Sequence, residues 1–170
     1  MTSIVNMEGT VFNFRKVKAL FRSESLPPFE RAVVALERGA YADALAGLDA
    51  LLAQPDLSNA DRAKIANKRG VALVRLGDRD AALDAFAAAL ESLPRYAPAL
   101  VNIGNLCLEE GSLDDAVVHY EAAIRADDTY HVAHLNLGIA YKRMGRTAES
   151  VRELKRAGRL EGRVFPKLTK

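Results

Sequence analysis

The sequence predicts an all-α protein made of stacked antiparallel helical hairpins. Two series of glycines share a period of 34 residues, which is the mark of a repeat architecture. They are Gly70, Gly104 and Gly138, and, seven residues further on, Gly77, Gly111 and Gly145. Apolar residues stand at helical spacing on both sides of each glycine of the second series. Each unit therefore reads as a helix, a short turn at the second glycine, and an antiparallel helix.

Composition is typical of one globular domain and excludes several classes of protein. The chain has 170 residues, 24 Lys and Arg against 22 Asp and Glu, and 49% apolar residues. The longest uninterrupted apolar run, residues 85–90, is far shorter than the roughly 20 residues of a membrane helix. No secretory signal is visible at the N-terminus, so we expect a cytoplasmic protein. A single cysteine, Cys107, excludes an intramolecular disulfide and a cysteine zinc site.

Residues 1–24 precede the repeats and predict an amphipathic segment or capping helix. Apolar and basic residues alternate there, with Phe14, Val17 and Phe21 at helical spacing. A cap on the first hairpin is the favoured interpretation, because repeat arrays need their ends covered. A ligand for the protein's own groove, a dimer contact and weak membrane-surface association remain alternatives.

Four units follow, spanning residues 25–62, 63–96, 97–130 and 131–164. The first is degenerate: Pro28 marks a helix start, and Gly39 precedes Ala44 by the same five residues that separate Gly77 from Ala82. In the next three units, Phe86, Tyr120 and Leu154 form a further column at the same period. In these three units the first glycine lies in mid-helix at a cost of roughly 1 kcal/mol, whereas the first unit has Ala32 at that position. We therefore expect a partner helix to approach closely there. Residues 165–170 form a basic tail.

The 34-residue helix-turn-helix pattern, with its columns of glycine, alanine and large residues, resembles the tetratricopeptide repeat (TPR) family. Pro94 stands at the family's closing proline position. The resemblance implies a right-handed α-solenoid whose first helices line a concave surface that binds another protein.

That surface is expected to be positive and to bind a peptide. Five of its cations face one acidic residue, Glu109, so the local net charge of +4 exceeds the +2 of the whole chain. Its expected ligand is an extended acidic or C-terminal segment of another protein. The candidate groove residues are Lys64, Asn67, Lys68, Arg75, Asn102, Asn105, Asn136, Ile139, Lys142 and Arg143.

Two groove asparagines, Asn102 and Asn136, each stand two residues before a repeat glycine. Similar asparagines in TPR proteins hold a ligand's backbone, so the resemblance implies a sequence-tolerant clamp. The alternative is that they are merely solvated on an exposed face, and in either case their loss should barely change stability. Asn67 and Val71 occupy positions where the carboxylate clamp of chaperone-binding TPR proteins has Lys and Asn. Recognition of chaperone tails is therefore not expected.

Nothing in the sequence predicts catalysis, a metal or a cofactor. His131 and His134 share one side of a helix, but His134 falls in a packing column and no third ligand is fixed by spacing. The last helix is basic on one side, yet it lacks the aromatic residues that stack on bases, so we do not expect nucleic acid as a partner.

The sequence thus predicts a non-enzymatic adaptor or chaperone-like module; a secretion-type chaperone is one form of this. The alternative is a structural scaffold that associates with itself through its helical ends, including the N-terminal segment.

Overall fold

The computed structural model describes residues 26–164, with side chains up to residue 162. The predictions for residues 1–24 and for the tail 165–170 lie outside the described residues. Between residues 26 and 164 there are eight α-helices and no strand. They are α1 (Pro28–Glu37), α2 (Tyr41–Leu52), α3 (Asn59–Leu76), α4 (Arg79–Ser92), α5 (Ala97–Glu110), α6 (Leu113–Ala126), α7 (His131–Arg143) and α8 (Thr147–Val164). The predicted all-α solenoid is confirmed.

Local sequence signals fix the ends of these helices. The Ser58 hydroxyl accepts a hydrogen bond from the backbone N–H of Asp61 at 3.1 Å and so caps α3, which begins four residues before the predicted unit. Gly77 ends α3 with a φ of 87°, and the N–H of Asp78 returns to the carbonyl of Leu73 at 3.0 Å. This left-handed conformation favours glycine. The turn glycines Gly111 and Gly145 have the same conformation, which explains the second glycine series.

The mid-helix glycines accommodate a large side chain of the paired helix. A Cβ added at Gly104 would lie 2.7 Å from the Cε1 of Tyr120, and one at Gly138 would lie 2.8 Å from the Cγ of Leu154. Gly70 faces Phe86 in the same way. The expected close approach of the two helices is confirmed, and Phe86 and Tyr120 are almost completely buried.

Successive hairpins stack so that each first helix packs against the second helix of the preceding unit, as α3 does on α2 and α7 on α6. The first helices α1, α3, α5 and α7 also contact one another along the stack, more closely than the second helices do. A stack that is tighter along one row of helices curves toward that row. The first helices therefore line the concave side, which we call the groove face. No helix among residues 26–164 has the length and apolar content needed to cross a membrane.

We predict that Gly104→Leu lowers the free energy of unfolding by at least about 3 kcal/mol, because the new side chain would occupy the space of the buried Tyr120 ring. Chemical denaturation followed by circular dichroism measures this. Gly158→Leu in α8 is the matched control, since a Cβ there meets nothing within 4 Å. That variant should be unchanged or more stable by up to about 1 kcal/mol. Equal stability of the two variants would contradict the packing assignment.

Candidate functional site

Paired asparagines join consecutive first helices on the groove face. The Nδ2 of Asn102 donates to the Oδ1 of Asn67 at 2.8 Å, linking α5 to α3. The Nδ2 of Asn136 donates to the Oδ1 of Asn105 at 2.7 Å, linking α7 to α5. Asn102 and Asn136 are half-buried. Each amide is therefore hydrogen-bonded to an asparagine of the preceding unit and is not merely solvated, so we now expect its loss to lower stability.

A buried tyrosine supports the second asparagine pair. The hydroxyl of Tyr120 donates to the same Oδ1 of Asn105 at 2.8 Å. Burial raises the pKa of Tyr120 well above its usual value, so the hydroxyl keeps its proton and remains a donor. The Asn105 carbonyl thus accepts from two side chains, and sequence reasoning missed this role of Tyr120 because the repeat assigned it only to packing.

The groove asparagines differ in burial and in the hydrogen-bonding groups they leave unpaired. Asn67 is only 5% exposed, because α5 covers it, so it is a support. Asn102 and Asn136 each use one N–H in their pair, and their carbonyl oxygens have no partner among the described residues. A peptide bond of a ligand needs one donor and one acceptor, and each of these amides retains both.

The five groove cations fall into two groups. Lys64 forms an exposed ion pair with Asp61 at 3.5 Å, and the Nη1 of Arg143 donates to the carbonyl of Leu108 at 2.9 Å. Lys68, Arg75 and Lys142 have no carboxylate partner within the part of the chain that the structure describes. Glu109, the acidic residue of the groove, is held at 2.8 Å by Arg79. The groove face therefore presents cations whose charge is not neutralised by neighbours.

The last unit leaves apolar groove positions open. Leu135 is 40% exposed, whereas Val101 at the equivalent position of the preceding unit is 2% exposed. Ile139 is 37% exposed and belongs to the same helix, α7. Among residues 26–164 no further first helix follows α7 to cover these side chains.

His134 and Cys107 are held in the packed interior of the repeats. His134 is buried, and its ring nitrogens lie 2.9 Å from the Oε2 of Glu153 and 3.2 Å from the carbonyl of Asp128. Cys107 is partly buried, and burial raises the pKa of its thiol, which keeps it protonated. No group of three or more His, Cys, Asp or Glu residues within 26–162 is arranged to hold a metal ion.

A curved stack of helical hairpins with a polar, cationic concave face defines a helical-repeat protein of the binding class. Two family models, both described as tetratricopeptide repeat, match residues 67–131 and 108–162 and together cover more than half of the chain. The chain belongs to the tetratricopeptide repeat family, which consists of protein-interaction modules.

Solved structures with the same fold include three informative cases. MamA is 23% identical, with a TM-score of 0.65, over 90% of this chain and 86% of its own. PilF of Pseudomonas aeruginosa is 23% identical, with a TM-score of 0.69, over 78% of this chain and 59% of its own. The second TPR of Spaghetti (RPAP3), bound to the HSP90 peptide SRMEEVD, is 20% identical with a TM-score of 0.56. It matches 60% of this chain and 94% of its own. At these identities the likeness is one of fold.

We predict that Asn102→Ala combined with Asn136→Ala lowers the free energy of unfolding by about 1 kcal/mol for each lost hydrogen bond. Chemical denaturation of the double variant measures the loss. Asn59→Ala is the control, because Asn59 is exposed and makes no side-chain hydrogen bond to a described residue. A double variant as stable as the parent would mean that the asparagine pairs contribute nothing to stacking.

Proposed function

We propose that this protein binds an extended, acidic segment of another protein along the groove face. The observation that carries the proposal is the row of half-buried amides, Asn102 and Asn136, set among cations that lack a carboxylate partner. Each amide can donate to and accept from one peptide bond of an extended chain. Such contacts are independent of ligand sequence, so selectivity comes from the neighbouring charges.

The cations are placed to attract carboxylates. Lys68 and Arg75 lie on α3, and Lys142 lies on α7, on either side of the asparagine pairs. Arg79 pairs with Glu109 at 2.8 Å and with Glu110 at 3.2 Å, so Glu109 is already ion-paired within the protein. The peptide bound to the second TPR of Spaghetti, SRMEEVD, is also acidic. This similarity of ligand class supports the proposal, although the departures at Asn67 and Val71 argue against a chaperone tail as the partner.

The test uses a displayed library of random 12-residue peptides, selected first on the parent protein. Selected peptides are expected to be enriched in Asp and Glu relative to the unselected library, with binding that weakens as salt screens the charges. Lys68→Glu combined with Arg75→Glu should reduce binding of those peptides at least about tenfold and abolish the acidic enrichment.

The control for this experiment is Lys155→Glu combined with Arg159→Glu, which makes the same change of charge on exposed positions of α8. It should select the same acidic peptides as the parent. Loss of binding in the control as well would show that the effect depends on net charge and not on the groove, which would contradict the proposal. Unchanged selection of acidic peptides by the groove variant would also contradict it.

A second function, self-association as a scaffold, is favoured by the exposed Leu135 and Ile139 of the last unit. Apolar side chains at repeat positions that are covered in the preceding unit suit a contact with a further helix. We predict that, if this contact forms, Leu135→Ser combined with Ile139→Ser converts an oligomer to a monomer in light scattering. Val118→Ser, at a 57% exposed valine of α6, is the control. A parent protein that is monomeric at high concentration would exclude the scaffold.

A further inference from the structure

A small cleft opens on the groove face between α3 and α5. Its volume is about 190 Å³, below the roughly 300 Å³ at which small-molecule sites begin, so it suits one side chain better than a whole ligand. We call its apolar lining residues the floor and its polar lining residues the rim. The floor consists of Val71, Val74, Phe86 and Leu106, and the rim consists of Arg75, Asn102, Asn105 and Glu109.

The next unit along the stack shows why this floor is unusual. At the positions equivalent to Val71 and Phe86, 34 residues later, stand Asn105 and Tyr120. There the tyrosine hydroxyl and the neighbouring Asn136 both donate to Asn105, so the polar groups satisfy one another. Val71 and Phe86 have no group that could form such a network. The two compared positions therefore hold a self-satisfied polar pair between α5 and α7 but two apolar side chains between α3 and α5.

The charges on the rim are also set by internal contacts. Arg79 binds Glu109 at 2.8 Å and the carbonyl of Leu106 at 2.9 Å, which fixes the acidic side of the rim. The bond to Glu109 raises the pKa of Arg79 above its usual value. Arg75 is exposed and has no carboxylate partner among the described residues. Arg75 is therefore the rim residue that can pair with a negative charge of a ligand beside the cleft.

We infer that this cleft is a specificity site that accepts one aliphatic side chain of the bound segment, with an acidic residue beside it pairing with Arg75. Asn102 on the same rim would hold the peptide bond between the two residues. The inference rests on the proposed function and makes it more specific: the ligand is an extended segment in which an aliphatic residue adjoins Asp or Glu. Phe86 and Leu106 are already buried by the fold, whereas Val71 and Val74 are partly exposed, and an aliphatic side chain in the cleft would remove their surface from water, which is favourable.

The experiment gives the cleft between α3 and α5 the polar residue pair of the crevice between α5 and α7. Val71→Asn combined with Phe86→Tyr, the exchange variant, places in that cleft the residue types of Asn105 and Tyr120. The hydrogen bond between Asn105 and Tyr120, at 2.8 Å, shows that such a pair fits this architecture. The exchange variant and the parent are each used to select from the same displayed library of random 12-residue peptides. Val118→Asn, at an exposed valine on α6, is the control for adding an amide. Circular dichroism melting verifies that each variant is folded.

The parent and the control should select peptides with Val, Leu, Ile or Met next to Asp or Glu. The exchange variant should still select acidic peptides but lose the aliphatic preference. Replacing the aliphatic residue by Ala in a peptide selected on the parent should weaken binding at least about tenfold. This measurement needs only the parent protein, so it tests whether the cleft binds an aliphatic side chain even if the exchange variant does not fold.

The two proposals fail in different ways. Acidic peptides without an aliphatic preference on the parent, or an aliphatic preference that persists in the exchange variant, would overturn the cleft and leave the groove proposal standing. A parent that selects no acidic peptides would overturn both.

Discussion

The structure depends on the contact between a mid-helix glycine and a large side chain of the paired helix. Where Gly104 meets Tyr120, no Cβ could be accommodated, so the two helices of the hairpin approach closely. The glycine costs about 1 kcal/mol of helix propensity, and burial of an almost completely covered aromatic ring offsets this cost. Because the last three units each place a large side chain against the mid-helix glycine in the same way, their first helices come into register along one face of the stack.

That register brings the asparagines of neighbouring units within hydrogen-bonding distance, and it gives them two tasks. An amide has two N–H donors and a carbonyl with two lone pairs. In Asn102 and Asn136 one N–H joins neighbouring units, and the other N–H and the carbonyl oxygen have no partner among the described residues. In the proposed complex these groups would bind the ligand, and the site would be preorganised because the fold already fixes the orientation of the side chains. Preorganisation reduces the entropy lost on binding.

Differences in residue type between units change the polarity of the groove from one crevice to the next. Tyr120 and Asn105 form a satisfied polar pair in one crevice, whereas Phe86 and Val71 place two apolar side chains at the equivalent positions of the other. Repetition fixes where each residue stands, and substitution within a column changes what that position offers a ligand. In the last described unit, Leu135 is exposed because no described helix covers it, whereas Val101 at the equivalent position one unit earlier is buried.

The sequence by itself determined the all-α repeat fold, the hairpin turns and the glycine columns, because these depend on local propensity and on a period that is visible in one dimension. It also placed the candidate residues on the first helices. Only the tertiary structure decided that Asn67 is buried under a bond from Asn102, that Asn136 bonds to Asn105, and that Arg79 pairs with Glu109. These contacts join residues about 30 positions apart on different helices, so they depend on the rotation between successive units, which the repeat pattern leaves undefined.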